Sequence, residues 1–434
     1  MQNVLYKLIL GVATMSLVVS CKPDLKAPKA SAGNLDISKY VSIGNSITSG
    51  YADNALYYDG QMVSYPNLIA EQFKLVGGGE FKQPLVSMGS VGFGSAGNSR
   101  YTLGYKTGCD GITSLSPLSF AGDLSVLANI SSQGPFNNMG VPGAKSFHVP
   151  YPGYGTVNPF FGRMISNLAT SMLAEAAAQK PTFFSLFIGN NDVLGYASNG
   201  GAADSITASA IFNASIDGIV NTMMANGASK GAIGSIPDVT NLPYFTTVPY
   251  NALVLTRQGQ VDSLNAAYGA VGISFSLGAN AFVMALPGSP YYRKLKSTEL
   301  VLLSTPQDSI KCKGWGSKKA FTNKYVLTET EIANIQNAVS AFNSKLKAVA
   351  DAKGLAYVDV NAFMAQAKKG ITYNGITLSA TFVSGGAFSL DGIHLTPRGN
   401  AMLANEFIKA INSKYGSSVP QVDVSKYKGV TFPN

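Results

Sequence analysis

The sequence predicts an α/β fold: a central parallel sheet with helices on both faces. Short apolar runs alternate along the chain with segments of helical spacing. Each run stops at a turn of Gly, Asn, Asp or Pro, as the strands of βαβ units do. The composition agrees. Of 434 residues, 46% are hydrophobic and 13% charged, enough apolar material for a sizeable core and too little charge for wholesale disorder. Ligands of such sheets bind outside the carboxyl ends of the strands. The turns that follow the strands are therefore where chemistry is expected.

The chain opens with a targeting segment, residues 1–21. Lys7 supplies a positive start, and residues 8–19 form an apolar stretch too short to span a bilayer comfortably. Leu17-Val18-Val19-Ser20-Cys21 then resembles a bacterial lipoprotein signal, which would make Cys21 the lipidated N-terminus. An ordinary cleaved signal or a short anchor is the alternative. Residues 22–36, beginning Lys-Pro-Asp, read as a tether. Lys22 stands where an inner-membrane retention signal has Asp. The expectation is thus an exported, lipid-anchored protein of the bacterial outer membrane, its face undetermined. The membrane enters as a partner through Cys21.

A single domain is expected over 37–416, with a tail over 417–434. Residues 40–43 are a first strand, ending in Gly44-Asn45-Ser46. Residues 64–73 have helical spacing. Residues 76–135 are rich in Gly and Ser without a long periodic segment, and read as an insertion of hairpins and loops. An Ala-rich helix is expected over 164–178, and Pro181 opens a buried strand over 182–188. A helix over 205–225 and a strand over 231–236 follow. Residues 239–325 read as a second insertion, with Lys311, Lys313, Lys318 and Lys319 around the single tryptophan, Trp315. Residues 328–352 form an amphipathic helix that starts with a Thr328/Glu331 capping box. A strand over 356–360 precedes the last loop, and Thr396-Pro397 starts a final helix to about Tyr415.

Histidine is scarce: only His148 and His394 occur. His394 has Asp391 three residues upstream, on one face of a tight turn, where a carboxylate can fix the imidazole tautomer. The bland reading is a turn before a helix. Ser46 lies just past a strand, where a hydroxyl and backbone N–H groups face the sheet edge, although such a serine is commonly a helix cap. Gly143, in Val141-Pro142-Gly143, reads as a type II turn glycine. Asn191 follows a buried strand in Gly189-Asn190-Asn191-Asp192. Together these supply a hydroxyl, a histidine with its carboxylate, and three donors for an oxyanion: the Ser46 N–H, the Gly143 N–H and the Asn191 amide. Acyl transfer needs these parts.

The blocks Gly44-Asn45-Ser46, Asn138-Met139-Gly140-Val141-Pro142-Gly143, Gly189-Asn190-Asn191-Asp192 and Asp391-Gly392-Ile393-His394 resemble, in order, those of the SGNH (GDSL-type) hydrolases. The resemblance implies a three-layer α/β/α, flavodoxin-like fold. It implies Ser46 as nucleophile and His394 as base oriented by Asp391. The oxyanion hole would be Ser46, Gly143 and Asn191, with Gly140 in reserve for Gly143. Asn45 and Ile47 depart from the common Asp and Leu of the first block without touching a catalytic role.

Other matches carry less. Gly227-Ala228-Ser229-Lys230-Gly231 fits a nucleophile elbow but runs from helix into strand, the wrong way round. Gly92-Phe93-Gly94-Ser95-Ala96-Gly97 fits a dinucleotide fingerprint without its strand–helix context. His148 has no carboxylate within five residues. Asp192 reads as a turn anchor. Cys109 and Cys312 are far apart in sequence and are a candidate disulfide in an exported protein. The cysteine and histidine spacings exclude a structural zinc or zincin motif, and no metal or cofactor is expected. The net charge of +9 is spread over scattered lysines, so nucleic acid is not an expected partner, and no obligate protein partner is evident. The expected activity is hydrolysis of carboxylic esters, on acylated glycans, short-chain esters or lipids. The alternative is a glycan-binding lipoprotein using the same cleft without catalysis.

Overall fold

The structure, a computed structural model, describes residues 29–286 and 291–433. Cys21, and with it the lipidation expectation, lies outside these residues. Five strands form the central sheet: β1 (Tyr40–Gly44), β2 (Asn138–Gly140), β3 (Phe183–Phe187), β4 (Lys230–Gly234) and β5 (Ala356–Val358). All their pairings are parallel, and the spatial order is β5-β4-β3-β1-β2. This is the flavodoxin-like order, whose ligand crevice lies where the winding reverses between β1 and β3. Every residue of β1 and β3 is buried, as strands covered on both faces must be.

Helices α1 (Ser46–Ser49), α2 (Tyr65–Lys74), α3 (Met172–Ala178), α4 (Asn191–Ser198), α5 (Ser209–Ala225), α6 (Glu329–Ala352), α7 (Val360–Lys369) and α8 (Pro397–Tyr415) complete the core. Helices α2 and α8 pack together on one face, where Tyr65 stacks on Phe407 at 4.9 Å and Phe407 meets Phe187 of β3. Helices α3, α5 and α6 cover the other face, with Phe212 stacked on Phe342 at 4.0 Å. The expected three layers are present.

Some boundaries differ from the sequence reading. The helix expected over 164–178 begins only at Met172. Asn167 accepts from the Ala169 N–H and starts a turn, and Ser171 caps the shortened helix through the Ala174 N–H. Helix α5 likewise begins at Ser209 rather than 205. The strand expected over 356–360 stops at Val358, because Asp359 accepts from the Ala362 N–H and caps helix α7. Strand β2 pairs with the edge of β1 through Ser42 opposite Asn138 and Gly44 opposite Gly140. The first insertion carries an antiparallel hairpin, Thr102–Thr107 with Thr113–Leu118. The second holds short hairpins and helices around two small apolar clusters of its own. A disulfide joins Cys109 to Cys312 and ties the insertions together. The tether and tail are not wholly separate from the domain. Leu35, Val419, Val422 and Val424 are buried in the main core, and the Ser418 N–H donates to the Ser31 carbonyl.

Candidate active site

Ser46 opens α1 directly after β1. Asn45 caps that short helix by accepting from the Ile47 N–H at 3.2 Å, and Gly50 ends it in the left-handed region. As the first helical residue, Ser46 has an N–H with no intrahelical acceptor. Its Oγ lies 2.8 Å from His394 Nε2. His394 Nδ1 lies 2.8 Å from Asp391 Oδ2. Residues 348 positions apart in sequence are thus in hydrogen-bond contact, and all three side chains are buried.

The Asp391 turn explains the orientation. Asp391 Oδ1 accepts from the Ile393 and His394 N–H groups, each at 2.8 Å, and from the Ser389 hydroxyl at 3.0 Å. Burial by itself would push the carboxyl up. The adjacent His394 ring and these hydrogen bonds overcome it and hold Asp391 well below the usual carboxylate range. An ionised Asp391 only accepts, so His394 Nδ1 carries the proton and Nε2 is left free to accept from Ser46. The Tyr51 ring packs 4.9 Å from the His394 ring. Thr396 caps α8 through the Gly399 N–H, directly after the turn.

The second block forms the expected type II turn: the Ala144 N–H donates to the Val141 carbonyl, and Gly143 has φ +80°. Gly143 is at the third position of this turn, so its N–H is outside the turn's own hydrogen bond. A Cβ on Gly143 would come no nearer than 3.9 Å to its surroundings, whereas one on Gly140 would lie 2.3 Å from the Ser49 nitrogen. Gly140 is therefore a close-packing position against α1, and Gly143 the glycine at the open turn. Asn191, at the start of α4, donates from Nδ2 to the Ala144 carbonyl at 2.9 Å and joins this turn to the end of β3. Asp192 accepts from the Ser146 N–H and hydroxyl at 2.8 and 2.6 Å, bracing the same two segments. Burial pushes its carboxyl up, against those bonds.

The other sequence candidates lie apart from this contact chain. His148 Nδ1 accepts from the Lys145 N–H, and its ring stacks on Tyr154 at 4.5 Å. Burial and the Lys145 charge push His148 down to about 4, so it stays neutral. Ser229 sits between α5 and β4, at the opposite end of the sheet from Ser46. Both insertions reach the site: the Tyr101 N–H donates to the Asp53 carbonyl, and the Tyr244 N–H donates to the Gly392 carbonyl.

Sequence reading missed Asp53, Asn54 and Ser389, which surround Asp391. The available signal was the pair Asp53-Asn54 between two alanines, a composition suited to a two-residue turn.

The profile of the GDSL-like Lipase/Acylhydrolase family matches residues 40–407, from the first core strand into the last helix. Comparison with curated proteins returns no sequence match. Among solved structures, a lipase/acylhydrolase from Enterococcus faecalis is 11% identical, with 88% of this chain and 99% of that chain covered and a TM-score of 0.34. LAE5, an alpha/beta hydrolase enzyme from the metagenome of Lake Arreo, Spain, is 12% identical, with 87% and 96% covered and a TM-score of 0.36. The chain belongs to the GDSL-like lipase/acylhydrolase family of ester hydrolases.

Proposed function

We propose that the chain is a serine ester hydrolase in which Ser46 is the nucleophile, His394 the general base and Asp391 its orienting carboxylate. One observation carries the reading: the unbroken contact from Ser46 Oγ to His394 Nε2 and from His394 Nδ1 to Asp391 Oδ2, each step 2.8 Å. As the Ser46 oxygen attacks an ester carbonyl, its proton passes to His394 Nε2. Asp391 stabilises the imidazolium. The Ser46 and Gly143 N–H groups and the Asn191 amide take the charge of the tetrahedral intermediate. His394 returns the proton to the departing alcohol. Water, activated by the same imidazole, then releases the acyl group from Ser46.

The favoured substrates are acylated glycans and short-chain esters, ahead of long lipid chains. Polar-tipped aromatics, Tyr51 and Tyr101 among them, support this choice around the triad. The protein is further proposed to be an exported lipoprotein, anchored through Cys21 to the bacterial outer membrane; the signal-like residues 1–21 support this.

The test is hydrolysis of p-nitrophenyl esters of increasing chain length. Ser46→Ala is expected to abolish turnover, and Asn191→Ala to lower kcat by about 10²–10³. Rates should fall from acetate towards long acyl chains. Wild-type-like hydrolysis by Ser46→Ala contradicts the catalytic reading. A preference for long chains contradicts the substrate choice alone.

A further inference from the structure

Residues Ala52 to Ala55 form a tight turn whose ends exchange both backbone hydrogen bonds, at 3.2 and 3.0 Å. Its central residues, Asp53 and Asn54, have φ of +51° and +60°. That is the pattern of a type I′ turn, which requires left-handed backbone at both positions and favours Asn, Asp and Gly there. Non-glycine residues hold such conformations only where their surroundings fix them.

Here the surroundings are the catalytic loop. The Asn54 N–H donates to Asp391 Oδ2 at 2.8 Å, the same oxygen that meets His394 Nδ1. The Asp53 N–H donates to Ser389 Oγ at 3.0 Å, and that hydroxyl donates to Asp391 Oδ1. The Asp53 side chain returns the contact. Its Oδ1 accepts from the Leu390 N–H at 2.9 Å, and its Oδ2 accepts from the Tyr57 hydroxyl at 2.9 Å. Turn and loop are therefore bonded in both directions. The first insertion grips the far side. Tyr101 donates its N–H to the Asp53 carbonyl at 2.7 Å, its hydroxyl accepts from Asn54 Nδ2 at 3.2 Å, and Arg100 lies 4.8 Å over the Tyr57 ring.

We propose that Asp53 is a positioning residue: by clamping the 389–391 loop it sets the rotation of Asp391, and through Asp391 that of the His394 ring, and it links this geometry to the first insertion. The proposal rests on the reading of Asp391 and His394 as orienter and base. Burial pushes the Asp53 carboxyl up to about 6, and the neighbouring Asp391 charge adds to this. The bonds of the clamp run to its two acceptor oxygens. Asparagine keeps an acceptor for the Leu390 N–H and a polar partner for Tyr57, whereas alanine keeps neither.

The test is kcat and KM on p-nitrophenyl acetate for wild type, Asp53→Ala, Asp53→Asn and Tyr57→Phe, with thermal unfolding of each. Asp53→Ala is expected to lower kcat about 10- to 100-fold, because a small misplacement of a reacting group costs that much, while KM stays within about twofold. Asp53→Asn should restore kcat to within about threefold of wild type. Tyr57→Phe, which removes one hydroxyl from the clamp, should lower kcat by about threefold or more at unchanged KM. Wild-type kcat in Asp53→Ala, or equal impairment of Asp53→Asn and Asp53→Ala, overturns the proposal. If Asp53→Ala is unfolded at the assay temperature, Tyr57→Phe decides, and an unchanged kcat overturns it. A wild-type protein that hydrolyses the ester, beside an inert Ser46→Ala, leaves the main reading standing whichever way these variants fall. An inert wild type removes that reading and the positioning role together.

Discussion

Asp391 is buried, yet the His394 ring and the N–H groups of Ile393 and His394 keep its carboxyl ionised. Two consequences follow at this scale. Asp391→Asn replaces an acceptor with an amide that can donate, which favours the wrong histidine tautomer. A fall in kcat on the order of 10⁴ is expected from steady-state kinetics, with the fold retained. The second concerns acid stability. A carboxyl held below its unfolded value contributes stability that is complete above about pH 3.9 and is lost as pH falls through the depressed folded value. Urea unfolding at pH 7 and pH 3 should therefore show a larger loss of stability for wild type than for Asp391→Asn. An equal loss in the two proteins removes Asp391 from the acid transition. The first three blocks were legible in the sequence because each holds its polar residues within a few positions of a strand end, and the fourth because histidine is scarce and Asp391 stands three residues before His394. Asp53 was not, since its contacts to Ser389 and Leu390 cross 336 and 337 residues. Nothing local distinguishes a turn aspartate with a distant partner from one that faces solvent.

Elements were legible where one local signal acted alone. The Thr328/Glu331 box starts α6 and Thr396-Pro397 starts α8, each as its residues predict. They were misread where a short polar side chain competed with apolar spacing. Asn167 and Ser171 cut α3 short, and Asp359 turned the end of a strand into the start of α7. The insertions were legible only as departures from periodicity, because the contacts that join them to the core and to each other are distant in sequence. The Cys109–Cys312 bond is the clearest of these, closing 203 residues of chain, with Asp110–Lys311 and Lys106–Asp308 ion pairs beside it. The exposed ion pairs add little. The disulfide is expected to contribute about 2–4 kcal/mol. Limited proteolysis with and without reductant should show cleavage within 102–118 and 305–315 before the core is cut, in the reduced protein only. Equal cleavage in both states means that the bond does not hold the insertions.

The whole molecule places β1 and β3 on either side of the point where the winding reverses, and the two leading site residues, Ser46 and Asn191, directly follow them. That much was predictable from alternating strands and polar turns, because a parallel sheet leaves few ways to connect its strands. The ends of the chain were less legible. Residues 31–35 and 418–424 look like tether and tail by composition, yet they pack together on the main core through scattered apolar residues. Cys21→Ser is expected to abolish labelling by a fatty-acid precursor in bacterial cells and release the protein from the membrane fraction. Unchanged labelling contradicts the anchor.

That Ser46 is a nucleophile activated by His394 is tested by treating the protein with a fluorophosphonate and mapping the adduct by peptide mass spectrometry. The predicted result is a single adduct on Ser46, absent in Ser46→Ala and slowed by orders of magnitude in His394→Ala. A wild-type protein that stays unlabelled, or a label on another residue that survives Ser46→Ala, contradicts it.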